Sequence, residues 1–303
     1  MKIFTVLTFL ILTTDVFSQQ YADTSYHPTI QNPAYDEGKG SSILIDEGHY
    51  NFHRKNGRYK TFSNLLERDG YVVKASRGKF DKKRLKSGKI LVIANALNEK
   101  NRTAWYVPIY SAFTKREIKQ VRDWVFHGGS LFLIADHMPW PGAAKDLALQ
   151  FGFEFSNGFV LDTISKGPAI FSLKEGTLNK SIVTLGRDST ETVEQVASFT
   201  GQGIKLPEDA TPILIFNENY VNMLPDTAFV YDDKTRIINA KGYSQGAYKR
   251  YGKGRIVVFG EAAMFTAQIQ EPEKTAMGMN NQNAPENYQL LLNIIHWLDG
   301  KLD

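Results

Sequence analysis

Short apolar runs alternate with stretches of helical spacing through the first half of the chain. Ile43-Leu44-Ile45 predicts a strand, and Phe62, Leu65 and Leu66 then fall on one helical face, with Asp69-Gly70 as the stop. Tyr71 to Val73 predict a second strand. KILVIA at 89–94 and LFLIA at 131–135 predict a third and a fourth. Their near-continuous apolar character suits strands buried on both faces of a parallel sheet. Between these two, Thr114 with Glu117 three residues on predicts a capping box, each side chain satisfying an orphan backbone N–H. Ile118, Val121, Trp124 and Val125 form the buried stripe of that helix, and Gly128-Gly129 ends it. A further helix is expected over 143–151, after Pro139, Pro141 and Gly142. RIVVF at 255–259 resumes the strand pattern. A last helix from about 285 to 299 carries Leu291, Leu292, Ile294, Ile295 and Leu298.

Strand and helix in alternation predict an α/β fold: a doubly wound, mainly parallel, flavodoxin-like sheet. Residues 156–250 depart from the pattern. They are rich in Gly, Thr and Asn, with short β-type runs, and predict a β-rich insertion over the sheet. Upstream, residues 19–40 are polar and read as a leader lying on the surface. Residues 1–18 read as a signal peptide: Lys2, an apolar run from Ile3 to Ile11, and Val16-Phe17-Ser18 before Gln19. That run is shorter than the roughly 20 residues of a membrane span. The expectation is an exported protein, periplasmic or secreted, with no stable membrane anchor after cleavage and a single domain over 41–303.

Composition narrows the chemistry. The chain has no cysteine, which excludes disulfides, Cys-ligated zinc and a cysteine nucleophile. The net charge of +4 is spread out, and the basic cluster at 79–89 reads as a solvated face, so nucleic acid is not an expected partner. The chain contains no Walker A sequence, no strand-linked GxGxxG, no HExxH and no GxSxG elbow.

Parallel sheets bind ligands at the carboxyl ends of their strands. Asp46, His49, Asn51 and His53 follow the first predicted strand, and Asn95 and Asn98 the third. Asp136 and His137 follow the fourth, and Glu261 the one at 255–259. Asp46, His49, Asp136, His137 and Glu261 are therefore the candidate ligands of a divalent metal such as Zn, Mn or Fe, with Asp136, His137 and Glu261 the candidate acid–base set. The alternative is that each caps its own turn. Trp105, Tyr106, Tyr110 and Trp140 could stack on sugar rings or pack as a lid. Two function classes follow: a hydrolase acting outside the cytoplasm, and a non-catalytic module binding a small molecule, glycan or protein.

The stretches "ILIDEGHYNFH", "ILVIANAL", "GGSLFLIADHMPWPGAA", "FGEAAMFTAQ" and "NYQLLLNIIHWLDG" resemble the class I glutamine-amidotransferase-like superfamily, and within it an uncharacterised family of exported bacterial proteins. The resemblance implies the parallel sheet described above. It does not bring the superfamily's chemistry, because Asp136-His137 stand where the cysteine nucleophile would, and Glu261 stands at the place of the catalytic histidine.

Overall fold

The computed structural model describes residues 20–303, and the expected signal peptide at 1–18 lies outside them. A nine-stranded sheet organises the molecule. Its strands are β1 (Ser42–Asp46), β2 (Val72–Ser76), β3 (Ile90–Ala94), β4 (Ser130–Ile134), β5 (Glu154–Phe155), β6 (Ile204–Lys205), β7 (Thr211–Ile215), β8 (Ser244–Tyr251) and β9 (Gly254–Phe259). They lie in the order β2-β1-β3-β4-β9-β8-β6-β5, with β7 also paired to β8. From β2 to β9 the neighbours are parallel, as the runs at 43–46, 71–74, 89–94 and 131–135 predict.

Four helices cover this part: α1 (Lys60–Arg68), α2 (Lys115–Phe126), α3 (Trp140–Leu149) and α4 (Asn287–Asp299). The strand period of two divides the core into two layers. Ile43, Ile45, Val92 and Phe132 face Phe62 and Leu66 of α1 and Leu291 and Ile295 of α4. Leu44, Leu91, Ile93 and Leu133 face Val121 and Val125 of α2 and Ala144 and Leu147 of α3. The Thr114–Glu117 capping box is formed, and Gly128, at φ +112°, follows the end of α2.

A doubly wound, mainly parallel sheet does not describe the molecule. Of thirteen strand pairings among the described residues, four are parallel and nine antiparallel. Past β9 the large sheet turns antiparallel, and three smaller sheets are wholly so. Seventeen strands accompany six α-helices, two of them a single turn. The reason is connectivity. Parallel strands need a crossover, usually helical, whereas antiparallel strands can be joined by short turns. Residues 150–250 contain few helical crossovers, so the parallel rule read from 43–135 does not extend to them. The expected polar leader is partly woven into the fold: Gln20–Ala22 pairs with Ala267–Gln270, and the Ala34 N–H donates to Asp69 at 2.7 Å. No helix among the described residues is long and apolar enough to cross a membrane.

Candidate functional site

The carboxyl ends of β1, β4 and β9 carry the five candidate residues, all buried, but the structure divides them. Among the described residues no group of three or more His, Asp or Glu side chains is arranged to hold a metal ion. The expected metal set of Asp46, His49, Asp136, His137 and Glu261 is not brought together in one group. It separates into two buried clusters and a lone imidazole.

The first cluster is built on β1. Asp46 ends the strand and accepts the Gly48 N–H at 3.0 Å, an Asx-type turn. Gly48 is required there, because a Cβ would come within 2.4 Å of the Gly78 carbonyl oxygen. The turn delivers His49 back onto Asp46, with Nδ1 at 2.9 and 3.0 Å from the two carboxylate oxygens. His49 Nε2 lies 3.0 Å from Glu117 Oε1, so the ring is held at both nitrogens. Asn51 closes the turn: its amide donates to Asp46 at 3.0 Å and its carbonyl accepts the His49 N–H at 3.0 Å. Burial is the largest influence on His49 and disfavours its charged form. The hydrogen bonds and charges of Asp46 and then Glu117 outweigh it and raise the imidazole's pKa. Glu117 is likewise pushed up by burial, but Thr114 and His49 outweigh that and lower it. Both ring nitrogens thus face carboxylate oxygens, an arrangement that favours the imidazolium. In a hydrolytic triad one imidazole nitrogen faces the nucleophile; here that nitrogen faces Glu117.

The second cluster joins β4 to β9. The Asp136 N–H donates to Asn95 Oδ1 at 2.9 Å, and Asp136 Oδ2 accepts the Ala262 N–H at 3.3 Å. Asn95, in the left-handed region at φ +50°, also donates from Nδ2 to His53 Nδ1 at 3.2 Å. Glu261, fully buried, accepts the N–H groups of Ala263 at 2.6 Å and Met264 at 2.7 Å, and so caps the short helix Ala263–Phe265. Burial first, and then the charge of Asp136, drive its pKa well above the usual carboxylate range, against the backbone N–H groups of Met264, Ala263 and Phe199. Tyr59 lies in the same field. Its phenol is raised well above the ordinary value by burial, then by Glu261 and Asp136, and its hydroxyl donates to the Ala262 carbonyl at 3.3 Å. His53 is depressed to about 3 by burial, with Arg58 adding to the effect, so it is neutral.

His137 belongs to neither cluster. Nδ1 lies 2.7 Å from the Met138 carbonyl, which makes this nitrogen the donor. Its ring is enclosed by Phe159, Trp140 and Phe229 at centroid distances of 4.6, 4.8 and 5.0 Å.

Beside the first cluster opens a cleft of about 600 Å³, lined by the loops that follow β1, β2 and β3. Sequence reasoning did not find it. Arg54, Arg58, Arg77 and Arg102 line it together with Glu47, Tyr50, Phe52 and Trp105. The available signal was the basic segment His53-Arg54-Lys55-Asn56-Gly57-Arg58, directly past the carboxyl end of the first predicted strand. Glu117, a capping residue by its spacing, is also the partner of His49, a role that spacing alone does not reveal. Of the expected stacking aromatics, Trp105 borders the cleft, while Trp140 is buried behind it against Phe52 and Trp105, at 5.2 and 5.1 Å.

No protein-family model matches the chain, and no curated protein matches it. Solved structures do. The mmIFT52 N-terminal domain is similar over 85% of this chain and 97% of that one, with a TM-score of 0.60 at 13% identity. The cytoplasmic protein STM1381 from Salmonella typhimurium LT2 is similar over 85% and 98%, with a TM-score of 0.50 at 11% identity. A β-galactosidase from Bacillus circulans sp. alkalophilus matches 86% of this chain and 30% of that one, at 9% identity, but its TM-score of 0.42 carries no argument. At these identities the likeness is one of fold alone. The expected membership of the class I glutamine-amidotransferase-like superfamily is corrected: the fold shared with solved structures is that of the mmIFT52 N-terminal domain, in a sheet-rich molecule.

Proposed function

We propose that the protein is a non-catalytic binding module that takes a small molecule, or the end of a glycan, into the cleft at the carboxyl edge of the parallel strands. One observation carries this reading: the side chains expected to do chemistry are already occupied. His49 is held at both nitrogens, Glu261 caps a helix turn in full burial, and His137 is enclosed by rings. A general base must reach the proton it abstracts, and each of these groups is taken up by its own protein neighbours. The cleft beside them has the volume of a small-ligand site and a few converging polar groups on aromatic walls. The apolar run at 3–11 adds the further proposal that the module works outside the cytoplasm.

The test is binding paired with product analysis. A panel of mono- and oligosaccharides and small organic acids is screened by ligand-observed NMR, and bound compounds are recovered. Recovery of unchanged ligand supports the module. Conversion of a ligand that is lost in Asp136→Asn would establish the hydrolytic alternative instead. That alternative keeps one supporting observation, the Asp136–Glu261 carboxyl pair, in which Asp136 helps raise the pKa of Glu261.

A further inference from the structure

Resting on the binding reading above, we propose that the cleft recognises an oxyanion, the phosphate, sulfate or carboxylate of a small molecule, with Arg58 as the fixed anchor and Arg54 and Arg102 as the rim. The charge balance of the lining motivates this. Four guanidinium groups face the cleft with one carboxylate, Glu47. Glu47 is committed to Arg77, 3.1 Å from its Nε, and also accepts the Lys55 N–H at 3.0 Å. Among the described residues, Arg54, Arg58 and Arg102 have no carboxylate partner.

Arg58 is the telling member. It is half-buried, and what holds it is neutral: the side-chain oxygens of Gln20 and of Gln268, the latter at 3.0 Å, and the face of Phe52 at 4.3 Å from its central carbon. These partners fix the guanidinium without neutralising it. Removing a cation from water is costly unless a counter-charge arrives, and burial lowers the pKa of Arg58 accordingly. Of the carboxylates at the strand ends, Asp46 is paired with His49, Asp136 accepts the His137 and Ala262 N–H groups, and Glu261 accepts those of Ala263 and Met264. Arg58 itself lines the cleft. Arg102 is similarly oriented by an aromatic face, at 4.9 Å from the centroid of Tyr50, a residue held in the left-handed region at φ +48°. A guanidinium held in a fixed plane is suited to bidentate contact with an oxyanion, which a mobile surface lysine is not.

The experiment uses the full chain at constant ionic strength. Inorganic phosphate, inorganic sulfate, glucuronate, glucose 6-phosphate and neutral glucose are titrated by calorimetry. Expected is saturable binding of at least one anion, with glucose at least tenfold weaker. Comparing glucuronate with the phosphate and sulfate arms identifies which oxyanion is preferred. Arg58→Gln should weaken binding at least tenfold, and Arg58→Lys should recover only part of it. The double variant Arg54→Gln/Arg102→Gln, on the exposed rim, gives an independent loss if Arg58 variants fold poorly. Lys83→Gln, exposed and outside the cleft, should change nothing. Glucose binding as tightly as the anions, with the arginine variants at wild-type affinity, would overturn the oxyanion assignment and leave the binding module standing. Absence of binding by every probe would overturn the assignment too, and the broader screen would then decide the module separately.

Discussion

At the scale of residues, the occupied imidazole His49 defines the molecule more than any free group. With its pKa raised in the folded state, His49 contributes stability that is fully present below the ordinary histidine value near 6.5, and that is lost as pH rises through the raised value. Glu117, lowered when folded, contributes stability above its ordinary value near 4.5 and loses it as pH falls. His49→Gln leaves two buried carboxylates facing each other, and removing one member of a buried ionic group typically costs about 3 kcal/mol or more. The gap in unfolding free energy between the natural chain and His49→Gln should therefore be largest near pH 6 and narrow toward pH 9. Denaturant melts across that range check this, and a gap that widened with pH would refute the charged triad. Sequence placed Asp46, His49, Asp136 and Glu261 at strand ends, because apolar runs reveal where strands stop. It could not reveal which neighbours they find. Glu117 lies 68 residues beyond His49, and its second role depends on how α2 packs.

At the scale of elements, α2 ties the helix layer to the loops that shape the cleft. Glu117 caps the helix with one oxygen, accepting the Thr114 N–H at 3.0 Å and the Thr114 hydroxyl at 2.7 Å, and holds His49 with the other. Thr114→Ala should thus cost more than a surface cap. We expect about 1 kcal/mol for the cap itself, plus a faster exchange of the Gly48 and His49 amides as Glu117 loses its fixed rotamer. Urea midpoints together with amide hydrogen exchange measure both parts. Loss of stability with unchanged exchange at 48–49 would show that helix and loop are independent. The capping box and the helix-ending glycines were legible from local spacing, because capping is decided within four residues. The antiparallel half of the sheet was not legible. Two of its strands are only two residues long, and the pairing depends on long-range register.

At the scale of the whole molecule, parallel strands gather the loops after β1, β2 and β3 at one edge. The cleft forms where those loops meet, while the Asp136–Glu261 pair lies buried just past the ends of β4 and β9. A ligand should therefore order the loops at 50–58 and 97–105 and leave the buried pair untouched. The most direct test is hydrogen–deuterium exchange with and without saturating anionic sugar, either glucuronate or glucose 6-phosphate, whichever binds. Protection confined to 50–58 and 97–105, and absent in Arg58→Gln, is the predicted result. Protection at 135–138 and 260–265, with the cleft loops unchanged, would contradict it and return the carboxylate pair to the centre of the protein's function.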